Sequence, residues 1–198
     1  MKFSVARRYR IALPGLLLVL AVHDVAAAGN RRPPPGIWPD KVFHWYYNPA
    51  QQPAWLDADE ARERVQAAIE KWQVCGLRSD YRGETGLVPG RMDGVNVVGW
   101  NAGLKRLRAL TQGRAYNGQL LERDVMFNPA RREFEQFPRL LTKVMAHEMG
   151  HAIGLTHANR CDAVMTLAAD CPRQRAAQLP IVPTDDDLQR CKALYGAE

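Results

Sequence analysis

The stretch His147–His157 constrains this chain more than any other. It reads His-Glu-Met-Gly-His-Ala-Ile-Gly-Leu-Thr-His, the pattern H-E-x-x-H-x-x-G-x-x-H. On a helix, residues four apart share a face. His147 and His151 therefore point two imidazoles at one position, with Glu148 beside it. Gly154 lets the chain leave the helix through a backbone conformation that a side chain penalises. That turn can return His157 as a third ligand. Three neutral imidazoles and an open fourth position make a catalytic rather than a structural zinc site. Zinc in such a site brings the pKa of water from 15.7 to roughly 7 and polarises a carbonyl. Glu148 is then the expected general base, and hydrolysis of a peptide bond the expected chemistry. The bland alternative is a buried amphipathic helix with incidental histidines. It explains poorly why three of the chain's five histidines fall at ligand spacing in one segment.

With its added glycine and third histidine, the motif resembles that of the metzincin zinc peptidases. The segment Cys161-Asp162-Ala163-Val164-Met165 is similar to the methionine turn of that group. Met165 lies eight residues after His157, the spacing of the matrixin branch. Thr184-Asp185-Asp186-Asp187-Leu188 through Ala193-Leu194-Tyr195-Gly196 resembles the matrixin closing helix, and Gly118–Asn128 resembles a strand of small bacterial matrixin-like proteins. The resemblance implies an α+β, zincin-like fold: a twisted mixed sheet backed by helices, an active-site helix, the methionine turn and a C-terminal helix. It implies that Met165 forms an apolar floor under the metal without binding it. One of Asp185, Asp186 and Asp187 would tie the last helix to that turn. Ala163–Leu167 would line the pocket beside the bond that is cut. The strand near Ala109–Tyr116 would form the cleft edge, where an extended substrate can add as a strand. Leu167 stands where some metzincins have a tyrosine that reaches the metal, which leaves the zinc as the main oxyanion stabiliser.

The order of elements agrees with such a domain over residues 41–198. Met1–Ala28 reads as a signal peptide, with basic residues at its start, an apolar core over Ile11–Val22 and Ala26-Ala27-Ala28 as a cleavage site. The rival, an uncleaved membrane anchor, suffers from an apolar run too short to span a bilayer comfortably. Residues 29–40, rich in Pro and Arg, read as an extended, poorly packed lead-in. Lys41–Tyr47 has the composition of a strand, with His44 read as a strand histidine and not a ligand. Asp57–Val74 reads as an amphipathic helix on Ala61, Val65, Ala68, Ile69 and Trp72. Gly76–Asp93 is loop-like, with room for a short strand near Tyr81. Val95–Trp100 is a core strand. Ala109–Tyr116 and Leu120–Phe127 form a hairpin about Asn117-Gly118. Phe137–Gly154 is the motif helix, and Thr184 with Asp187 signals a capping box for the last one.

Charge excludes little. The chain has 27 Lys+Arg against 21 Asp+Glu. Setting aside Lys2, Arg7, Arg8, Arg10 and Asp24 of the leader leaves 23 against 20, a mild excess. No basic stripe with interleaved aromatics argues for nucleic acid, and no second apolar run argues for a membrane after leader cleavage. Cys75, Cys161, Cys171 and Cys191 form an even set in an exported chain, which suggests two disulfides. Closure of Cys161–Cys171 around the methionine turn is favoured, with Cys75–Cys191 joining two predicted helices; free buried thiols are the alternative.

The expectation is therefore a monomeric, secreted or periplasmic zinc endopeptidase with one catalytic ion, acting on a peptide or protein. Two other readings compete: an exported zinc protein that binds peptides without turnover, and a zinc amidase acting on cell-wall peptides. No cysteine precedes Cys75 to serve as a zinc-blocking propeptide residue. Calcium is a candidate for the loops around Asp80–Asp93, although no Asp/Asn spacing there matches a calcium loop.

Overall fold

Val42–Asn48 (VFHWYYN) forms the first strand, β1, because its aromatic and β-branched residues suit a buried pleated surface. Phe43, Trp45 and Tyr47 are fully buried on one face. The structure is a computed structural model and describes residues 35–172 and 180–196. These belong to one compact unit, Arg31–Glu198, and the leader lies outside the described residues. Among the described residues no helix is long and apolar enough to cross a membrane.

After β1 the chain enters helix α1, Ala58–Glu70. Asp57 caps it by accepting from the amides of Asp59 and Glu60. Its buried stripe is Ala61, Val65, Ala68 and Ile69. Gly76, at φ 88°, ends the short 3-10 turn that follows. Strands β2 (Arg78–Glu84), β3 (Val97–Trp100), β4 (Ala109–Tyr116) and β5 (Gln119–Phe127) complete a five-stranded sheet in the order β2-β1-β3-β5-β4. The first three pairings across it are parallel, and β4 alone runs antiparallel, to β5. Asn117 and Gly118 both have positive φ, 48° and 75°, as a two-residue I′ hairpin turn requires. β4 is left as a sheet edge.

Helices α2 (Glu133–Gln136), α3 (Pro138–Ala152) and α4 (Asp185–Tyr195) follow. Pro138 sits at the first turn of α3, where its missing N–H costs nothing. Leu141, Met145 and Met149 of α3 are buried in the same core as Trp72 and Phe127. Each fully buried tryptophan finds an acceptor for its indole N–H. Trp45 donates to Ser79 Oγ, Trp72 to the Ala146 carbonyl and Trp100 to Tyr47 Oη.

Two elements differ from their sequence expectations. β2 is a full seven-residue strand rather than a short one near Tyr81. Its residues are polar and half-exposed, so pairing with β1, not an apolar pattern, makes it a strand. The end of the lead-in is packed, not loose. Ile37 exchanges backbone hydrogen bonds with Gly118 and Leu120, and Trp38 is only 6% exposed. Trp38 Nε1 donates to the Ala152 carbonyl, and Tyr195 Oη donates to that of Ile153. Carbonyls at a helix end lack helical partners, so these two bonds satisfy and fix the C-terminal end of α3.

Candidate metal centre

The last turn of α3 carries His147 and His151, and the chain then turns at Gly154 (φ 95°). A Cβ at Gly154 would meet the Gly36 carbonyl oxygen, so both the conformation and the space require glycine. The turn brings His157 back. One ligand atom from each of the three histidines lies within 4.8 Å of the others. His151 Nε2 and His157 Nε2 are 3.1 Å apart. Two nitrogens each ~2.0 Å from one tetrahedral zinc would sit about 3.3 Å apart.

The rings are aimed from behind. His147 Nδ1 lies 2.8 Å from the Val164 carbonyl and His151 Nδ1 2.7 Å from that of Leu155. Donation of Nδ1–H to these oxygens leaves Nε2 with a lone pair, the tautomer a metal ligand needs. Burial pulls the pKa of His147 down and that of His151 well down, which keeps both neutral. The donor set therefore fits a divalent ion that favours imidazole. His147 and His157 are only partly buried, so the cluster opens to one side.

Glu148 is 8% exposed. Thr111 on β4 donates its hydroxyl to Glu148 Oε2 at 2.7 Å and lies 3.1 Å from the Glu148 carbonyl. Burial pushes the Glu148 carboxyl up to about 7, against the lowering effect of Thr111. Glu148 and His147 line a cavity of about 430 Å³ whose walls include Leu140 and Val144 of α3, Ala109 of β4, and Thr166 and Leu167.

Below the histidines, Val164 and Met165 are fully buried. Met165 Sδ packs against Gly150, where a larger residue would displace it. Asp187, itself fully buried, accepts from the Val164 amide at 2.7 Å and the Met165 amide at 3.2 Å. It also closes the capping box with Thr184. Of the three acidic residues considered, Asp187 thus both caps α4 and ties it to the methionine turn. Arg190 Nη2 donates to the Thr156 carbonyl at 2.8 Å, next to the third histidine. Disulfides join Cys161 to Cys171 and Cys75 to Cys191. His44 lies apart from the cluster, between Asp40 and Asp80.

The site thus assembles His147, Glu148, His151 and His157 from the motif. Thr111, Gly150 and Arg190 are functional neighbours that sequence reasoning misses. Thr111 is one polar residue in a strand, and only the 37-residue separation closed by the fold reveals its partner.

No curated protein matches the chain in sequence. A chain of the solved "GM1 bound form of the ECX AB5 holotoxin" is similar in fold, with a TM-score of 0.54 and 11% identity over 78% of this chain and 80% of that one. A family model described as Matrixin matches residues 108–196, which span β4, the three histidines and α4. Residues 108–196 thus carry a matrixin-type domain.

Proposed function

We propose that the protein is a zinc-dependent endopeptidase that works outside the cytoplasm. The carrying observation is convergence: three histidines with ligand atoms within 4.8 Å of one another, and a buried carboxylate in the same cavity, beside an open sheet edge. His147, His151 and His157 would hold the ion. Zinc bound there supplies a Lewis acid that acidifies water and polarises the substrate carbonyl.

The chain's own residues supply the rest. Thr111 holds Glu148 Oε2, which assigns Oε1 to accept the proton of the attacking water. Glu148 then returns that proton to the departing amine nitrogen. The free edge of β4 can pair with an extended peptide and lay its backbone across the cavity mouth. Met165 would support the ligand rings through Gly150 and the Val164 carbonyl. Two disulfides and the leader reading support a secreted or periplasmic location.

Digestion of a mixed peptide library by the purified protein tests this. Cleavage should stop with a chelator and return with zinc. Glu148→Ala should keep one zinc per chain and lose roughly 10²–10⁴ in turnover. A variant that cleaves at the wild-type rate would exclude Glu148 as the base. A fully zinc-loaded wild type that cleaves nothing would favour a peptide-binding role.

A further inference from the structure

The cavity beside the histidines has a basic wall. Arg106 and Arg108 from the segment before β4, Arg131 from the loop after β5, and Lys143 from α3 all line it, together with His147 and Glu148. Four cations thus face a space in which Glu148 is the lining carboxylate. One further acid, Glu133, pairs with Arg108 Nε at 3.2 Å and lies 3.8 Å from Arg131 Nη1. One carboxylate shared by two guanidiniums leaves positive charge over. Arg106 and Lys143 make no ion pair among the described residues. Lys143 is half-buried one turn before His147, and burial, with repulsion from Arg108, pulls it down to about 8. A cation in that position gains from an anion brought to it. The flanking Leu140 and Val144 keep the local dielectric below that of water, which strengthens such a pairing.

We propose that this wall selects substrates carrying an Asp or Glu side chain next to the bond that is cut, with Lys143 as the partner of that carboxylate. The inference rests on the peptidase reading above. The carboxylate would form a charge-assisted hydrogen bond to Lys143 Nζ, while Arg106 and Arg108 add attraction during approach. Glu148 would stay clear of this pairing because Thr111 holds it on the β4 side.

The test has two arms. In the first, wild-type protein digests a peptide library randomised on both sides of the cut. Asp and Glu should be enriched about tenfold over Asn and Gln at one position adjoining it, and the enrichment should shrink in high salt. In the second, Glu148→Ala protein is titrated with labelled peptides that differ only by Glu, Gln or Lys at that position, read by fluorescence anisotropy. The Glu peptide should bind about tenfold tighter than the Gln peptide. Adding Lys143→Glu should invert the order in favour of Lys, and Lys143→Arg should preserve it. Arg106→Glu, on the exposed rim, should weaken the preference and stands in if Lys143→Glu does not fold. Chelator-sensitive cleavage without acidic enrichment overturns the selection and leaves the peptidase standing. Tenfold tighter binding of the Glu peptide with no cleavage of anything keeps the acidic recognition and removes the peptidase. A preference that survives both charge reversals overturns the role of this wall.

Discussion

The three histidines reach one point from two kinds of backbone. His147 and His151 lie on a regular helix whose buried face packs into the core through Met145 and Met149 and is tied to the turn after α1 by the Trp72 indole. His157 lies on irregular chain that, among the described residues, contributes no strand to the sheet. The helix needs only its own period to place two ligands. The irregular part needs a glycine turn, the Asp187 ties, an arginine from α4 and a disulfide to place one. Order in a metal site can therefore come from periodicity or from cross-links, and the second route has more single points of failure.

The largest effect should come from the joint between the two. Gly154→Ala adds a methyl at positive φ against the Gly36 carbonyl, and should cost about 4 kcal/mol or prevent folding. Urea unfolding and metal stoichiometry would show it. Near-normal stability with one ion bound would mean that the turn relaxes freely. Next, Asp187→Ala strands the Val164 and Met165 amides. It should lower stability by about 3 kcal/mol. It should also weaken zinc binding, because Val164 carries the carbonyl that aims His147. An unchanged zinc affinity would reduce Asp187 to a helix cap.

Serine at Cys161 and Cys171 opens a loop of separation 10. A loss of about 2–3 kcal/mol is expected from chain entropy, with His157 as the ligand most affected. Competition with a chromophoric chelator would report it.

The regular half has a weak point of its own. Asp124 of β5 is 1% exposed and accepts from the amides of Gly90 and Val97. Burial nonetheless pushes its carboxyl up to about 6. An unfolded aspartate titrates near 3.9, so the folded state holds the proton more tightly. This contribution to stability is fully present below the unfolded pKa and is lost as pH rises through about 6. Relative to Asp124→Asn, wild type should gain on the order of 1–2 kcal/mol on going from pH 7 to 4. A flat difference would mean that the two amides offset the burial.

Much of this was legible because it is periodic or local. The helical period exposes His147 and His151, Asn117-Gly118 exposes the hairpin, and Thr184 with Asp187 exposes a cap. β2 hid because Arg78–Glu84 has no apolar alternation and depends on its neighbour. The docking of Trp38 hid behind a proline-rich composition that suggested loose chain. Thr111, Arg190 and the basic wall hid for one common reason. Their partners are distant in sequence, and a charge pattern spread over residues 106–143 is no run. Periodicity states which face a residue takes, and only the assembled sheet states what that face meets.

The bond between Cys75 and Cys191 has a consequence for survival. It ties two positions 116 residues apart, and the three clustered histidines, the hairpin and the smaller disulfide fall between them. A single backbone cut anywhere in that interval releases nothing. The pieces remain a single covalent body whose new ends are held against the native packing. Nicked protein should run as two fragments on a reducing gel and as one band without reductant. Damage that would disperse an open chain here becomes a scar.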